Sequence, residues 1–165
     1  MTLPDPRVEA LVAGLSASGQ TVATAESLTG GLIGATLTEV PGASAVYLGG
    51  VIVYQTALKA RLGGVPDAIL ERDGPVAGST AEALAVGVRD STGATWGLSV
   101  TGVAGPTSQA GQPPGTVWIG LAGPSGVISR HLQLDGDRSQ VRAATVDAAL
   151  SWLAGQALGK DWSCS

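Results

Sequence analysis

TVATAESLTGG, residues 21–31, decides the architecture. Its first six residues, TVATAE, are small or β-branched for the most part and carry no turn signal, as in a short buried strand. Ser27 then stands where that strand turns into a helix. The pattern becomes helical with Ile33, Leu37 and Val40, and Pro41-Gly42 stops it. A second strand follows over 46–54, VYLGGVIVY. Strand, helix and strand in that order predict a parallel crossover, because parallel neighbours need a long return path.

Working outward, Val8, Leu11, Val12 and Leu15 fall at i, i+3, i+4 and i+7, the stripe of an amphipathic helix ending near Gly19. Residues 56–62 read as a short helix. Ser79 and Glu82 have the spacing of a capping box, and Ala81, Leu84, Ala85 and Val88 give the helix behind it an apolar face. TWGLSVT at 95–101 reads as a strand. Residues 102–115 are rich in Gly, Pro, Ser and Gln, as in an ordered functional loop or a mobile lid. Segments 116–122 and 127–134 flank GPSG, so they form an antiparallel hairpin. The last helix begins near Asp137 with an Asp137/Gln140 capping box and is expected to bury Val141, Ala144, Ala148 and Trp152. The sum is an α/β fold with a mixed sheet, in one domain spanning 1–165.

Composition narrows the partners. The chain has 165 residues, 44% of them apolar, with no Phe, so Leu, Ile, Val and Ala must fill its core. A net charge of −4 argues against nonspecific nucleic-acid binding, which needs a basic face. The single Cys, Cys164, cannot make an internal disulfide or a zinc site. The N-terminal residues have no basic n-region and no long apolar run, and no stretch approaches the ~20 apolar residues that span a bilayer. A cytoplasmic protein is expected, with no membrane partner.

Three constellations are candidates for chemistry. A serine at a strand–helix junction is exposed at the sheet edge beside free backbone N–H groups. Gly30 and Gly31 suit a ligand approaching the backbone, although a plain helix cap would explain Ser27 and its glycines as well. Such a serine needs a base. His131, the only imidazole, lies on the predicted solvated face of its strand with Ser129 and Gln133. Seven of the nine basic residues are Arg, which does not deprotonate, leaving Lys59 and Lys160. A neutral lysine at pH 7 costs about 4.6 kcal/mol from a reference pKa of ~10.4, so burial must supply most of the shift. Lys59 follows an apolar strand and can be buried; the alternative is a snorkelling surface lysine. TGVAGP at 101–106 places Thr101 at another strand end, where Gly102 and Gly105 let backbone approach a ligand. Finally, Arg138 and Arg142 sit at i, i+4 in the first turns of the last helix, where positive charge opposes the dipole. Either a bound anion or pairing with acidic side chains would relieve that.

In order along the chain, TAESLTGG (24–31), GGVIVYQTALKARLGGV (49–65), TGVAGP (101–106), PPGTVWIGLAG (113–123) and GDRSQVR (136–142) resemble the CinA C-terminal-domain family, the nicotinamide-nucleotide amidohydrolases. The resemblance covers nearly the whole chain. It implies a three-layer α/β/α sandwich with a mixed, mostly parallel sheet. It also implies deamidation of nicotinamide mononucleotide to nicotinate mononucleotide and ammonia by a Ser/Lys mechanism, without metal or other cofactor, often in a homo-oligomer, here expected to be a dimer. By motif matching it implies Ser27 as nucleophile, Lys59 as base, and Tyr54, Thr101 and Arg138 as assisting or substrate-binding residues. The expected binding set adds Thr29, Gly30, Gly31, Gly102, Gly105 and Arg142. The chain departs from the family pattern at Leu28, where Cys is usual, at Pro75-Val76-Ala77-Gly78, where Ala-Val-Ser-Glu is common, and over 107–114, TSQAGQPP, which lacks the usual Gly-rich, lysine-bearing form. Two other readings remain open. One is a different amidase or esterase on the same machinery. The other is a noncatalytic nucleotide-binding regulator linked to competence or DNA damage.

Overall fold

A computed structural model describes residues 3–162, so Cys164 lies outside the described residues. Helix α1, Pro6–Ala17, starts where the Asp5 carboxylate accepts the Arg7 N–H, with Pro6 in the first turn. It buries the expected four residues, Val8, Leu11, Val12 and Leu15. Strand β1, Val22–Glu26, is buried along its whole length, as a central strand covered on both faces must be. Helix α2, Leu32–Thr38, carries the chain over to β2, Tyr47–Ile52. β2 is shorter than the sequence implies, because Val53 and Tyr54 leave the strand toward α3, Thr56–Arg61.

The remaining elements are α4, Asp67–Asp73, which sequence reasoning missed, α5, Gly78–Thr92, and β3, Trp96–Gly102. They are followed by β4, Thr116–Gly123, β5, Gly126–Gln133, and α6, Arg138–Leu158. The strand order is β2-β1-β3-β4-β5. β1 pairs in parallel with both β2 and β3, and β4 is antiparallel to β3 and to β5. β4 thus runs against the other four strands. The mixed, mostly parallel sheet is as expected.

Helices cover both faces, making three layers. α1, α2 and α6 share one core with Leu98, Val100 and Ile119 of the sheet. α5 and its neighbours form the other around Ala23, Ala25, Leu84 and Val88. α5 lies unusually close to the sheet. A Cβ at Gly97 would strike the carbonyl oxygen of Ala85, and one at Gly120 that of Ala81. Among the described residues no helix is long and apolar enough to cross a membrane.

Two local expectations are corrected. Ser79 and Glu82 do not form a capping box, because α5 starts two residues earlier with Ala77 as N-cap. Ser79 donates instead to Asp73, and Glu82 accepts from Ser129 on β5, so tertiary partners outbid the local motif. The buried stripe of α6 is rotated. Val141 is buried as expected, but its companions are Thr145, Ala149, Leu150 and Leu153, while Ala144, Ala148 and Trp152 are half-buried on its flank. The α6 capping box is present: Gln140 N–H donates to Asp137 and Asp137 N–H to the Gln140 side chain.

β1 delivers the chain to α2 on one face, whereas β2 delivers it to α5 on the other. The carboxyl ends of β1, β2 and β3 therefore meet at a topological switch point, where open α/β sheets hold ligands. The packing makes one stability prediction. Gly120→Ala should cost about 1–3 kcal/mol by overpacking α5 against β4, read as a lower urea midpoint at unchanged m-value.

Candidate active site

Ser27 follows directly on β1, and its N–H donates to Val100 O of β3 at 3.1 Å. The turn after it is held from within by Glu26, 2% exposed, the last residue of β1. Its carboxylate accepts the Thr29 hydroxyl at 2.8 Å and the Ile33 N–H at 2.6 Å. Gly30 and Gly31 have φ of 59° and 101°, left-handed values that favour glycine, and Gly31 is the N-cap of α2. The two glycines therefore precede the helix and shape the turn, and neither lines the cleft.

Lys59, in the last turn of α3, is 2% exposed. Its Nζ lies 2.9 Å from Ser27 Oγ, 2.9 Å from Val53 O and 3.4 Å from Tyr54 O. Desolvation by burial pushes the amine down from its ordinary 10.5 to about 8. Nζ donates to all three oxygens, the Ser27 hydroxyl and the carbonyls of Val53 and Tyr54. Loss of one proton would turn a lone pair toward Ser27 Oγ.

The pair opens onto a cleft of about 240 Å³. Thr101 and Gly102 line it from the end of β3. The Thr101 hydroxyl donates to Pro75 O at 2.6 Å, and Gly102 lacks a side chain where a Cβ would press on Thr116 O of β4. Tyr54 and Arg138 line the mouth. Arg138 donates to Tyr54 Oη at 3.0 Å and to Gly105 O at 2.9 Å. Five members of the expected binding set do not line the cleft. Thr29 is buried against Glu26. Gly30 and Gly31 shape the turn. Arg142 donates to the carbonyls of Leu28 and Thr29, at 3.0 and 3.1 Å, and does not line the cleft. Gly105 acts through its carbonyl and its φ of 89°. Among the described residues neither arginine pairs with an acidic side chain. His131 is exposed and stacks near Trp118, with ring centroids 4.8 Å apart.

Sequence reasoning did not single out Glu26, Thr56 or Ala104, although Glu26 had a signal, a lone charge in an apolar strand. Pro75, Val76, Gln109 and Ala110 also line the cleft, in the two stretches, 75–78 and 107–114, where the chain departs from the family pattern.

The fold and this site define an α/β/α protein with a buried serine–lysine pair at the sheet's switch point. The chain belongs to the CinA C-terminal domain family, whose model matches residues 5–157. It is 48% identical over 147 residues to a CinA-like protein of Frankia casuarinae, covering 88% of this chain and 34% of that protein. A CinA-like protein of Geotalea daltonii is 42% identical over 155 residues, covering 93% of this chain and 38% of the relative. The chain thus spans about a third of the length of the curated relatives it matches. The crystal structure of the competence/damage inducible protein CihA from Agrobacterium tumefaciens superposes with a TM-score of 0.85 at 35% identity, over 97% of this chain and 100% of that one. A CinA superfamily protein from Klebsiella pneumoniae gives 0.90 at 26% identity, over 94% and 98%.

The buried amine links stability to pH. Between about 8 and 10.5 the unfolded chain keeps a proton on Lys59 that the folded chain has lost. Raising the pH through that window therefore stabilises the fold, by up to about 3 kcal/mol. Urea unfolding of wild type minus Lys59→Met should show that rise; a difference flat from pH 7 to 10.5 would contradict the depressed pKa.

Proposed function

We propose that the chain is a serine amidohydrolase that deamidates nicotinamide mononucleotide, with Ser27 as nucleophile and Lys59 as its base. The observation that carries this reading is the 2.9 Å approach of a buried, partner-bound amine to the Ser27 hydroxyl. With the amine at about 8, its neutral form at pH 7 costs only about 1.4 kcal/mol. The charge of the cleft supports an anionic substrate. Lys59 and Arg138 line it and, among the described residues, no carboxylate does, in a chain of net charge −4.

In the reaction, Lys59 Nζ takes the Ser27 proton as Oγ bonds to the carboxamide carbon. The Gly30 N–H is committed to Ser27 O at 3.0 Å, so it does not serve the oxyanion. The Leu28 N–H makes no hydrogen bond among the described residues, and Leu28 lines the cleft, so it is the backbone donor for that charge. One such donor is typically worth about 2.7–4 kcal/mol. Collapse breaks the C–N bond, and the Lys59 ammonium gives its proton to the departing nitrogen, which leaves as ammonia. Neutral Lys59 then deprotonates a water that attacks the ester carbon. The proton returns to Ser27 Oγ, freeing the carboxylate product. Arg138 retains N–H groups beyond its two bonds and holds the phosphate.

Ser27→Ala should stay folded and release no ammonia; full activity would remove the nucleophile. Lys59→Arg should be nearly as inactive, since charge is kept and basicity is lost. The sign of the pH dependence follows from the base being the deprotonated form. kcat/KM should climb tenfold per pH unit below about 8 and level off above it. Arg138→Ala should raise KM for the nucleotide well above its effect on the dephosphorylated nucleoside. An equal effect on both would place the phosphate elsewhere.

A further inference from the structure

The segment between β3 and β4 is closed at its base. Val103 N–H donates to Thr116 O at 2.9 Å, and Gly115 N–H to Val103 O at 2.8 Å. Its tip is closed too. Gln109 N–H donates to Gln112 O at 3.0 Å, and Gln112 N–H to Gln109 O at 2.8 Å. The two residues between them, Ala110 and Gly111, have φ of 50° and 75°. A two-residue turn with both central residues left-handed is normally built from Asn, Asp or Gly. Ala110 is the one non-glycine residue with positive φ among the described residues. Its strain falls on the wall of the cleft, which Ala110 and Gln109 both line.

Most polar groups facing that cleft are already engaged. Ser27 and Lys59 hold each other, the Tyr54 hydroxyl accepts from Arg138, and the Thr101 hydroxyl donates to Pro75 O. Among the described residues the side chains of Gln109 and Thr56 make no hydrogen bond. Of these two only the Gln109 carboxamide presents a donor and an acceptor side by side, which matches a pair of adjacent hydroxyls.

We propose that the 109–112 turn is the specificity wall of the cleft, where Gln109 hydrogen-bonds adjacent hydroxyls on a sugar-like linker between the reacting amide and the anionic group. The strained Ala110 holds that carboxamide in place. This rests on the amidohydrolase reading and deepens it by naming what distinguishes the substrate from other anionic amides. A site built to pair with hydroxyls discriminates against an analogue lacking them.

The test compares nicotinamide mononucleotide with its 2′,3′-dideoxy analogue. Wild type should prefer the hydroxylated ligand by roughly tenfold in kcat/KM or more. Gln109→Ala, on an exposed turn, should lose about that factor for the nucleotide and nothing for the analogue. Ala110→Gly should leave Tm unchanged or higher and still narrow the discrimination. A turn with a merely structural role gives the opposite result, stability lowered and discrimination intact in both variants, and that result overturns the proposal. Calorimetric titration of both ligands into Ser27→Ala separates this wall from the chemistry. Discrimination in binding that Gln109→Ala removes upholds the wall even if wild type releases no ammonia. Equal affinity for both ligands, or binding of neither, overturns it.

Discussion

The structure depends on keeping one amine dry and near the Ser27 hydroxyl. Lys59 is held in that position by carbonyl oxygens rather than by carboxylates. This choice matters, because a carboxylate beside the amine would favour its charged form and raise the pKa that burial lowers. The carbonyls are available because the chain leaves β2 at Val53 instead of extending the strand. The Val53 N–H meanwhile donates to Glu26 O at 2.8 Å, so its backbone binds the end of β1 on one side and Lys59 on the other. Parallel registry of β1 and β2, Glu26 opposite Ile52, thereby sets where the amine can sit relative to Ser27.

Glu26 gives the turn a second anchor. A buried carboxylate is expensive unless its lone pairs are filled, and here a hydroxyl and backbone N–H groups of the following helix fill them. Its negative charge is spent on the start of α2 and not on Lys59, and the two form no ion pair among the described residues. One element end thus carries the buried Glu26 carboxylate and, one residue later, the Ser27 hydroxyl that meets Lys59. The left-handed glycines at 30 and 31 let the chain reverse within four residues to achieve this.

What was legible in the sequence follows from what is local. The α1 stripe, the β4–β5 hairpin and the Asp137 cap depend on neighbours within a few positions, and each is found in place, while α2 ends at Thr38, a turn before the expected stop at Pro41-Gly42. Lys59 was legible by elimination, since few residues could act as a base, but its distance from Ser27 was not. The differences share one cause. Ser79, Glu82 and Arg142 have local roles that their spacing suggests, yet each side chain meets a partner on another element: Asp73 for Ser79, Ser129 for Glu82, and the carbonyls at 28 and 29 for Arg142. Backbone carbonyls leave no mark on a sequence, so an arginine that binds them looks the same as one that binds an anion. The rotated α6 stripe has a similar origin, because Thr145 can be buried once its hydroxyl donates to Val141 O.

The two arginines of α6 also explain how both walls of the cleft hold their places. Positive charge in the first turns of a helix is unfavourable in isolation. Here Arg138 and Arg142 point at three carbonyl oxygens, whose partial negative charge offsets that penalty. The acceptors belong to different walls, Gly105 to the connection after β3 and Leu28 and Thr29 to the turn after β1. One rigid helix, fastened by its own Asp137–Gln140 cap, therefore clamps the Ser27 turn through Arg142 and the opposite loop through Arg138. Arg142 bonds only these carbonyls among the described residues and stays out of the cleft, whereas Arg138 also reaches the cleft mouth and Tyr54. Two residues one helical turn apart have the same chemistry, and only the set of carbonyls within reach separates a structural clamp from a group able to meet a ligand.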